Sequence, residues 1–238
     1  MGFLPNDFKS NRELSDIFGD FLDRHFYKPM ESLIVEEDPR AANVFFERVY
    51  DKERQKRGFD VIMHEGEWTM PIDEKAQFAY MDNPLDTFCL ELSYLKHGEP
   101  MPGWLLDDTK RTAAYMLCWP KGPADVKGVF TGADMLLVYS NRVKKFLKDW
   151  GYDREVLCER EKFMRENRFK GRCHFKCSGF WFTFSPQLVE QSVNVVLKQA
   201  LLRDLASADM HLEVNLKTGE SLITGTWLGQ KINTSSVA

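Results

Sequence analysis

Two apolar, strand-like arms flank one short polar turn in the first third of this chain, and that arrangement constrains the fold more than any other feature. Phe59–Met63 (FDVIM) and Trp68–Phe78 are separated by His64-Glu65-Gly66-Glu67. β-Branched and aromatic residues on either side of a glycine-bearing polar turn read as a β-hairpin. The midpoint between Asp60 and Asp73 falls between Gly66 and Glu67, so the two carboxylates are expected nearly opposite each other on adjacent strands. Cross-strand neighbours have Cβ atoms roughly 4.5–5.5 Å apart, close enough for two carboxylates to share a divalent ion. Period two along the second arm puts Asp73, Lys75 and Gln77 on one face. Pro71 suggests an edge strand or a bulge, and a bulge would shift the register by one and substitute Glu74 for Asp73.

Other segments supply the rest of a mixed α/β fold. Ser10 with Glu13 fits a capping box, and Leu14, Ile17, Phe18, Phe21, Leu22 and Phe26 recur at three- and four-residue steps. This predicts an amphipathic helix over Asn11–Tyr27, with Pro29 barring much extension. Strands are expected at Val44–Val49, Thr87–Leu95, Tyr115–Trp119, Met135–Tyr139 and Cys173–Phe184, and a helix over Asp108–Tyr115. A helix capped by Ser140 and a basic helix over Arg154–Glu166 follow. Ser185-Pro186 is expected to open a long helix carrying Val189, Val193, Val196, Leu197, Ala200, Leu201 and Leu205 inward. The expected organisation is a single α/β domain: a core over residues 10–140, a helical and β extension over 141–215, and a polar tail over 216–238.

Composition excludes several classes. Of 238 residues, 43% are apolar, enough for a sizeable core and incompatible with disorder. No apolar run approaches the ~18 residues needed to span a bilayer. Met1–Lys9 lacks a basic start followed by an apolar stretch, so no signal peptide is expected and a cytoplasmic location is. Five cysteines, an odd number, do not make a disulfide framework. Cys173 and Cys177, in CHFKC, read as strand cysteines, because no second Cys/His pair lies at finger spacing. The five histidines show no ligand spacing, and no phosphate loop, GxGxxG or GxSxG motif is present.

Charge is unevenly spread. The net charge is −4; residues 1–120 carry −9 and residues 121–238 carry +5. Arg142 to Lys176 holds 12 basic and 6 acidic residues, interleaved with Trp150, Tyr152, Phe163, Phe169 and Phe175. Basic groups there would engage phosphates, with Lys144, Lys145 and Lys148 as the candidate nucleic-acid contacts, and the aromatics could stack on bases. The same pattern also fits core aromatics under a solvated charged surface.

Two acids and a lysine on one face suit phosphodiester hydrolysis. Carboxylate oxygens hold Mg²⁺, which neutralises phosphate charge and lowers the pKa of bound water. A nearby lysine orients or deprotonates that water or stabilises the developing charge. The run GFDVIM…PIDEKAQF…TFCLELSY…GW…TAAYMLCW resembles the PD-(D/E)xK, or restriction-endonuclease-like, nuclease superfamily, and in particular members found in phages and mobile elements. The resemblance covers roughly residues 10–140. It matches Asp60 to the family's strand aspartate, Asp73 and Lys75 to its acid-x-lysine pair, and Glu91 to its strand glutamate. Gly98–Trp104 matches the loop and Thr109–Trp119 the helix–strand. Asp73 stands where glutamate is commoner, and Phe59 replaces the proline of the family name.

The resemblance implies a restriction-endonuclease-like core and a Mg²⁺-dependent nuclease acting on DNA, with Mn²⁺ as a substitute ion. Asp60 and Asp73 would hold the metal and Lys75 would act on the water. Gln77 and Glu91 would be accessory, with Glu91 completing the metal shell or orienting Lys75. An upstream helix acid often joins such sites, and Glu13, Asp16 and Asp20 are equal candidates here. The alternative is the same fold without catalysis, serving as a nucleic-acid-binding or protein-interaction module.

Overall fold

The computed structural model describes residues 8–37, 43–123, 126, 128–169, 171–174 and 179–237. The protein is mixed α/β, and its described residues cluster into two compact units whose segments interleave along the chain. Among the described residues, no helix is long and apolar enough to cross a membrane.

The larger unit comprises the described residues of Asp7–Leu85, Arg111–Ser140 and Ala206–Ala238. It opens with α1 (Phe8–Leu22), which widens into a π turn at Asp23–Tyr27 and continues as α2 (Lys28–Glu37). The Lys28 N–H reaches back five residues to the Asp23 carbonyl, and Pro29, with no N–H to give, follows directly. This wide turn lets the helix run past the proline expected to stop it. Strands β1 (Val44–Arg48), β2 (Val61–Glu65) and β3 (Trp68–Ala76) follow, with a short helix α3 (Lys52–Lys56) capped by Asp51 between the first two.

An eight-stranded sheet in the order β1-β2-β3-β6-β7-β11-β12-β13 is completed by β6 (Ala114–Lys121), β7 (Gly132–Tyr139), β11 (Ala208–Val214), β12 (Glu220–Trp227) and β13 (Gln230–Val237). β3 and β6 run parallel, and every other neighbouring pair is antiparallel. One face buries Phe18, Leu22, Phe26 and Met30 of the helical segment against Val61, Met63, Ile72, Met116, Leu137, Met210, Ile223 and Trp227. The sheet curls around this segment. Phe46 on β1 and Trp227 on β12, far apart in strand order, have ring centroids 5.9 Å apart, and each meets the π turn, at Tyr27 and Phe26.

The smaller unit comprises Asp86–Lys110 and Asn141–Leu205, again as far as they are described. Its antiparallel sheet has the order β5-β4-β10-β9-β8: β4 is Thr87–Lys96, β5 Glu99–Pro102, β8 Gly171–His174, β9 Phe180–Phe184 and β10 Val193–Lys198. Helix α5 (Arg154–Glu166), capped by Asp153, packs on it. Arg165 Nε donates to Glu161 at 2.7 Å and Nη2 to the buried Ser93 hydroxyl at 2.5 Å, fixing the helix to β4. Helix α4 (Ser140–Asp149) buries Val143 and Leu147, and α6 is Gln199–Leu205.

Several expectations are corrected. The stretch expected as one long helix from Ser185 is a turn, then β10, then the short α6. Val193, Val195, Val196 and Leu197 are all buried, and a run buried on both sides of a strand has no period to separate it from a helix. Asp108–Tyr115 is not helical; its end begins β6. The expected polar tail from residue 216 is the β12–β13 hairpin. Of its described side chains, only Ser221, Ile223, Trp227 and Ile232 are buried, so the single inward face carries few apolar residues. Ile17, expected in the apolar stripe, is 46% exposed. Cys177, Phe175 and Lys176 lie outside the described residues.

Candidate functional site: an aspartate pair on the β2–β3 hairpin

The hairpin pairs Val61 with Ile72, Ile62 with Pro71 and Met63 with Met70 without a register shift. Pro71 therefore adds no bulge between Val61 and Glu65. Pro71 stands one residue before the β3–β6 ladder begins at Ile72 and Ala114, where a missing N–H costs that ladder little. Asp60, one residue before β2, lies outside that register. The Asp60 backbone N–H donates to the Ile72 carbonyl at 3.0 Å. Beyond it the Asp60 carboxylate takes over from the backbone, with Oδ2 accepting the Glu74 N–H at 2.9 Å.

Alternation along β3 separates the charged run Asp73-Glu74-Lys75 onto two faces. Asp73, 2% exposed, accepts a hydrogen bond from Lys75 Nζ on its own face, and the Asp60 carboxyl is close enough to feel its charge. Burial, then the neighbouring Asp73 charge, pushes the Asp60 carboxyl well above the usual carboxylate range, while Lys75 pulls it down. Two carboxyls this close hold a proton between them more readily than two charges. Tyr115 on β6 stands beside Asp73 in the parallel ladder, and its buried phenol is pushed up by desolvation and by the Asp73 charge.

Glu74 points the other way, into the helical layer. Its carboxylate accepts from Tyr27 Oη at 2.8 Å and from two nitrogens of Arg48. Arg48 Nη2 donates also to Asp23 Oδ1 at 2.7 Å. This half-buried ion cluster lies on the other face of β3, and sequence reasoning missed it. The only trace in the sequence is a charged Glu47-Arg48 dipeptide ending an otherwise apolar strand.

The remaining candidates lie on other elements. Glu91 lies on β4, opposite Asn194 of β10, in the five-stranded sheet rather than the one carrying Asp60 and Asp73. Gln77 follows the last residue of β3, so strand alternation no longer fixes its face; its N–H donates to the Cys118 carbonyl at 3.1 Å. Glu13, Asp16 and Asp20 are exposed on α1, and the helix acid tied to the hairpin is Asp23, through Arg48. Lys144, Lys145 and Lys148 are exposed on α4, with Lys145 bonded to Asp149 at 2.6 Å. Tyr152 packs on Phe180 and Phe182 at the core of the smaller unit, whereas Trp150 meets Phe180 and remains 48% exposed.

The donor set decides what ion this site can take. Among the described residues, no group of three or more His, Cys, Asp or Glu side chains is arranged to hold a metal. Asp60 and Asp73 alone offer hard oxygens, a set that suits Mg²⁺, which takes one or two carboxylates and keeps several waters. No family model matches the chain, nor does any curated protein or solved structure.

Proposed function

We propose that this protein is a metal-dependent nucleic-acid phosphodiester hydrolase, acting on DNA, that works at the Asp60–Asp73 pair with Lys75. The observation that carries the reading is that the Glu74 N–H holds the Asp60 carboxylate next to Asp73, whose own carboxylate takes Lys75 Nζ on the same face. Mg²⁺ or Mn²⁺ held by the two carboxylates would supply charge neutralisation and a more acidic bound water. The residues' own work is then simple. Asp60 is fixed by the Glu74 N–H, and Asp73 is fixed by burial in β3. Lys75, at the less buried end of the ion pair, holds its proton beside the reacting phosphate and stabilises the charge that develops there. A restriction-endonuclease-like core belongs to this proposal. The β2–β3 hairpin with β6 parallel beside it supports that core, and the placement of β4 in the other sheet departs from it. A cytoplasmic location fits a chain with an odd number of cysteines.

A second reading has its own support. Lys75 already bonds Asp73, so the charges largely satisfy one another, as they would in a non-catalytic module retaining the fold. Calorimetry with Mg²⁺ and Mn²⁺, run beside cleavage of labelled single- and double-stranded DNA and RNA, separates the two. The hydrolase binds an ion and cleaves, and Asp73→Asn loses both. Nucleic-acid binding with neither metal uptake nor cleavage would establish the module instead.

A further inference from the structure

We propose that Arg48 is a positioning residue for the carboxylate pair, acting through Glu74 from the opposite face of β3. The inference rests on the reading of Asp60 and Asp73 as the working pair. Glu74 is the residue between Asp73 and Lys75. Its side chain is held by Arg48 and Tyr27, and its N–H holds Asp60. Whatever fixes Glu74 thus fixes the peptide that carries two site residues and bonds to the third.

Arg48 is built to do this. Its guanidinium, 12% exposed, spans Asp23 at the π turn and Glu74 on β3, and gives a further hydrogen bond to the Gly19 carbonyl at 3.0 Å. A Cβ at Gly19 would come within 3.1 Å of Nη1, so the helix approaches the guanidinium where it has no side chain. One planar fork, always charged, joins helix, edge strand and hairpin, which a lysine cannot reproduce. Released from it, the Glu74 carboxylate would seek water and turn its peptide. Small displacements of positioned groups cost up to roughly 100-fold in rate.

Charge-conserving variants test this without altering the electrostatic balance. Arg48→Lys and Glu74→Asp each keep the charge and break the fork geometry, and the milder Glu74→Asp serves if Arg48→Lys does not fold. The readout is the backbone amide resonance of residue 74 in metal-free protein, before and after adding Asp60→Ala. In the wild-type background Asp60→Ala displaces that resonance strongly, because it removes the acceptor. In either charge-conserving background the displacement shrinks, while the remaining amides stay dispersed as in a folded protein. Cleavage by the same variants falls roughly 10- to 100-fold in kcat with KM unchanged. A full wild-type displacement in folded Arg48→Lys or Glu74→Asp overturns the proposal. Absence of cleavage in the wild type counts against the hydrolase reading alone, and the amide measurement still decides the positioning.

Discussion

Lys75 donates to Asp73 two residues back along the same strand, so a 2%-exposed carboxylate has its counter-charge on its own face. The lysine thus has a structural role beside the chemical one proposed for it. Lys75→Ala is expected to lower cleavage by about 100-fold or more, as losing a transition-state electrostatic donor does. It is also expected to destabilise the fold by about 1–3 kcal/mol in urea titrations, less than a fully buried pair costs, because Lys75 is partly exposed and Asp73 can take up a proton. Wild-type cleavage in a folded Lys75→Ala protein would remove Lys75 from the mechanism.

Asp60 is expected to make stability fall as pH rises. An acid with a raised native pKa keeps its proton in the folded state at pH values where the unfolded chain has lost it. The penalty is absent below the ordinary aspartate value of about 3.9 and grows until the raised native pKa is passed. Asp60→Asn keeps an oxygen for the Glu74 N–H and offers an N–H to Asp73. It is therefore expected to raise Tm at neutral pH, flatten this part of the pH profile and abolish metal uptake. A melting series from about pH 4 to pH 8 with unchanged slope in the variant would refute the assignment.

The hairpin was legible because its information is local. Residues equidistant from the His64–Glu67 turn pair, and Pro71 did not disturb the register. The choice of sheet was not local. Thr87–Lys96 forms a strand as its composition suggests, but its partners are β5 and β10, the latter some hundred residues downstream. Nothing within TFCLELSYL distinguishes a place beside β3 from a place beside β10. Arg48 illustrates a different blindness. A half-buried arginine looks like a surface one until Asp23, twenty-five residues earlier, and Glu74, twenty-six later, are brought to it.

Gly225 on β12 is expected to resist substitution. Its φ is +138°, and a Cβ there would lie 2.1 Å from the Asp209 carbonyl oxygen on β11. Gly225→Ala must either strain the backbone or push two paired strands apart. A loss of about 3 kcal/mol or more in chemical denaturation is expected. A stability within about 0.5 kcal/mol of wild type would show that the strands yield at that point.

The lysines of α4 give the nucleic-acid proposal its salt signature. Lys144, Lys145 and Lys148 are exposed, and their helix faces inward through Val143 and Leu147. Replacing all three by glutamate should leave the melting temperature nearly unchanged and weaken binding of every sequence alike. The log–log salt slope should shrink by about 0.7–0.9 for each phosphate that these lysines no longer neutralise. Equal affinity and slope in the triple variant would show that these lysines are solvated surface.

The pairing of β7 with β11 bears on how the chain is made. On the ribosome β7 emerges with buried residues Met135, Leu136, Leu137 and Val138, yet the strand that covers its free edge begins only at Ala208. At roughly 5–20 residues per second, that edge waits several seconds for its partner. The intervening residues, Asn141–Leu205, belong to the smaller unit, whose other described segment, Asp86–Lys110, has already emerged, so the described part of that unit is complete in sequence while the eight-stranded sheet still lacks three strands. During that interval the nascent chain presents an open apolar ribbon, and slowing translation through residues 141–207 would lengthen its exposure to chaperones and to neighbouring chains.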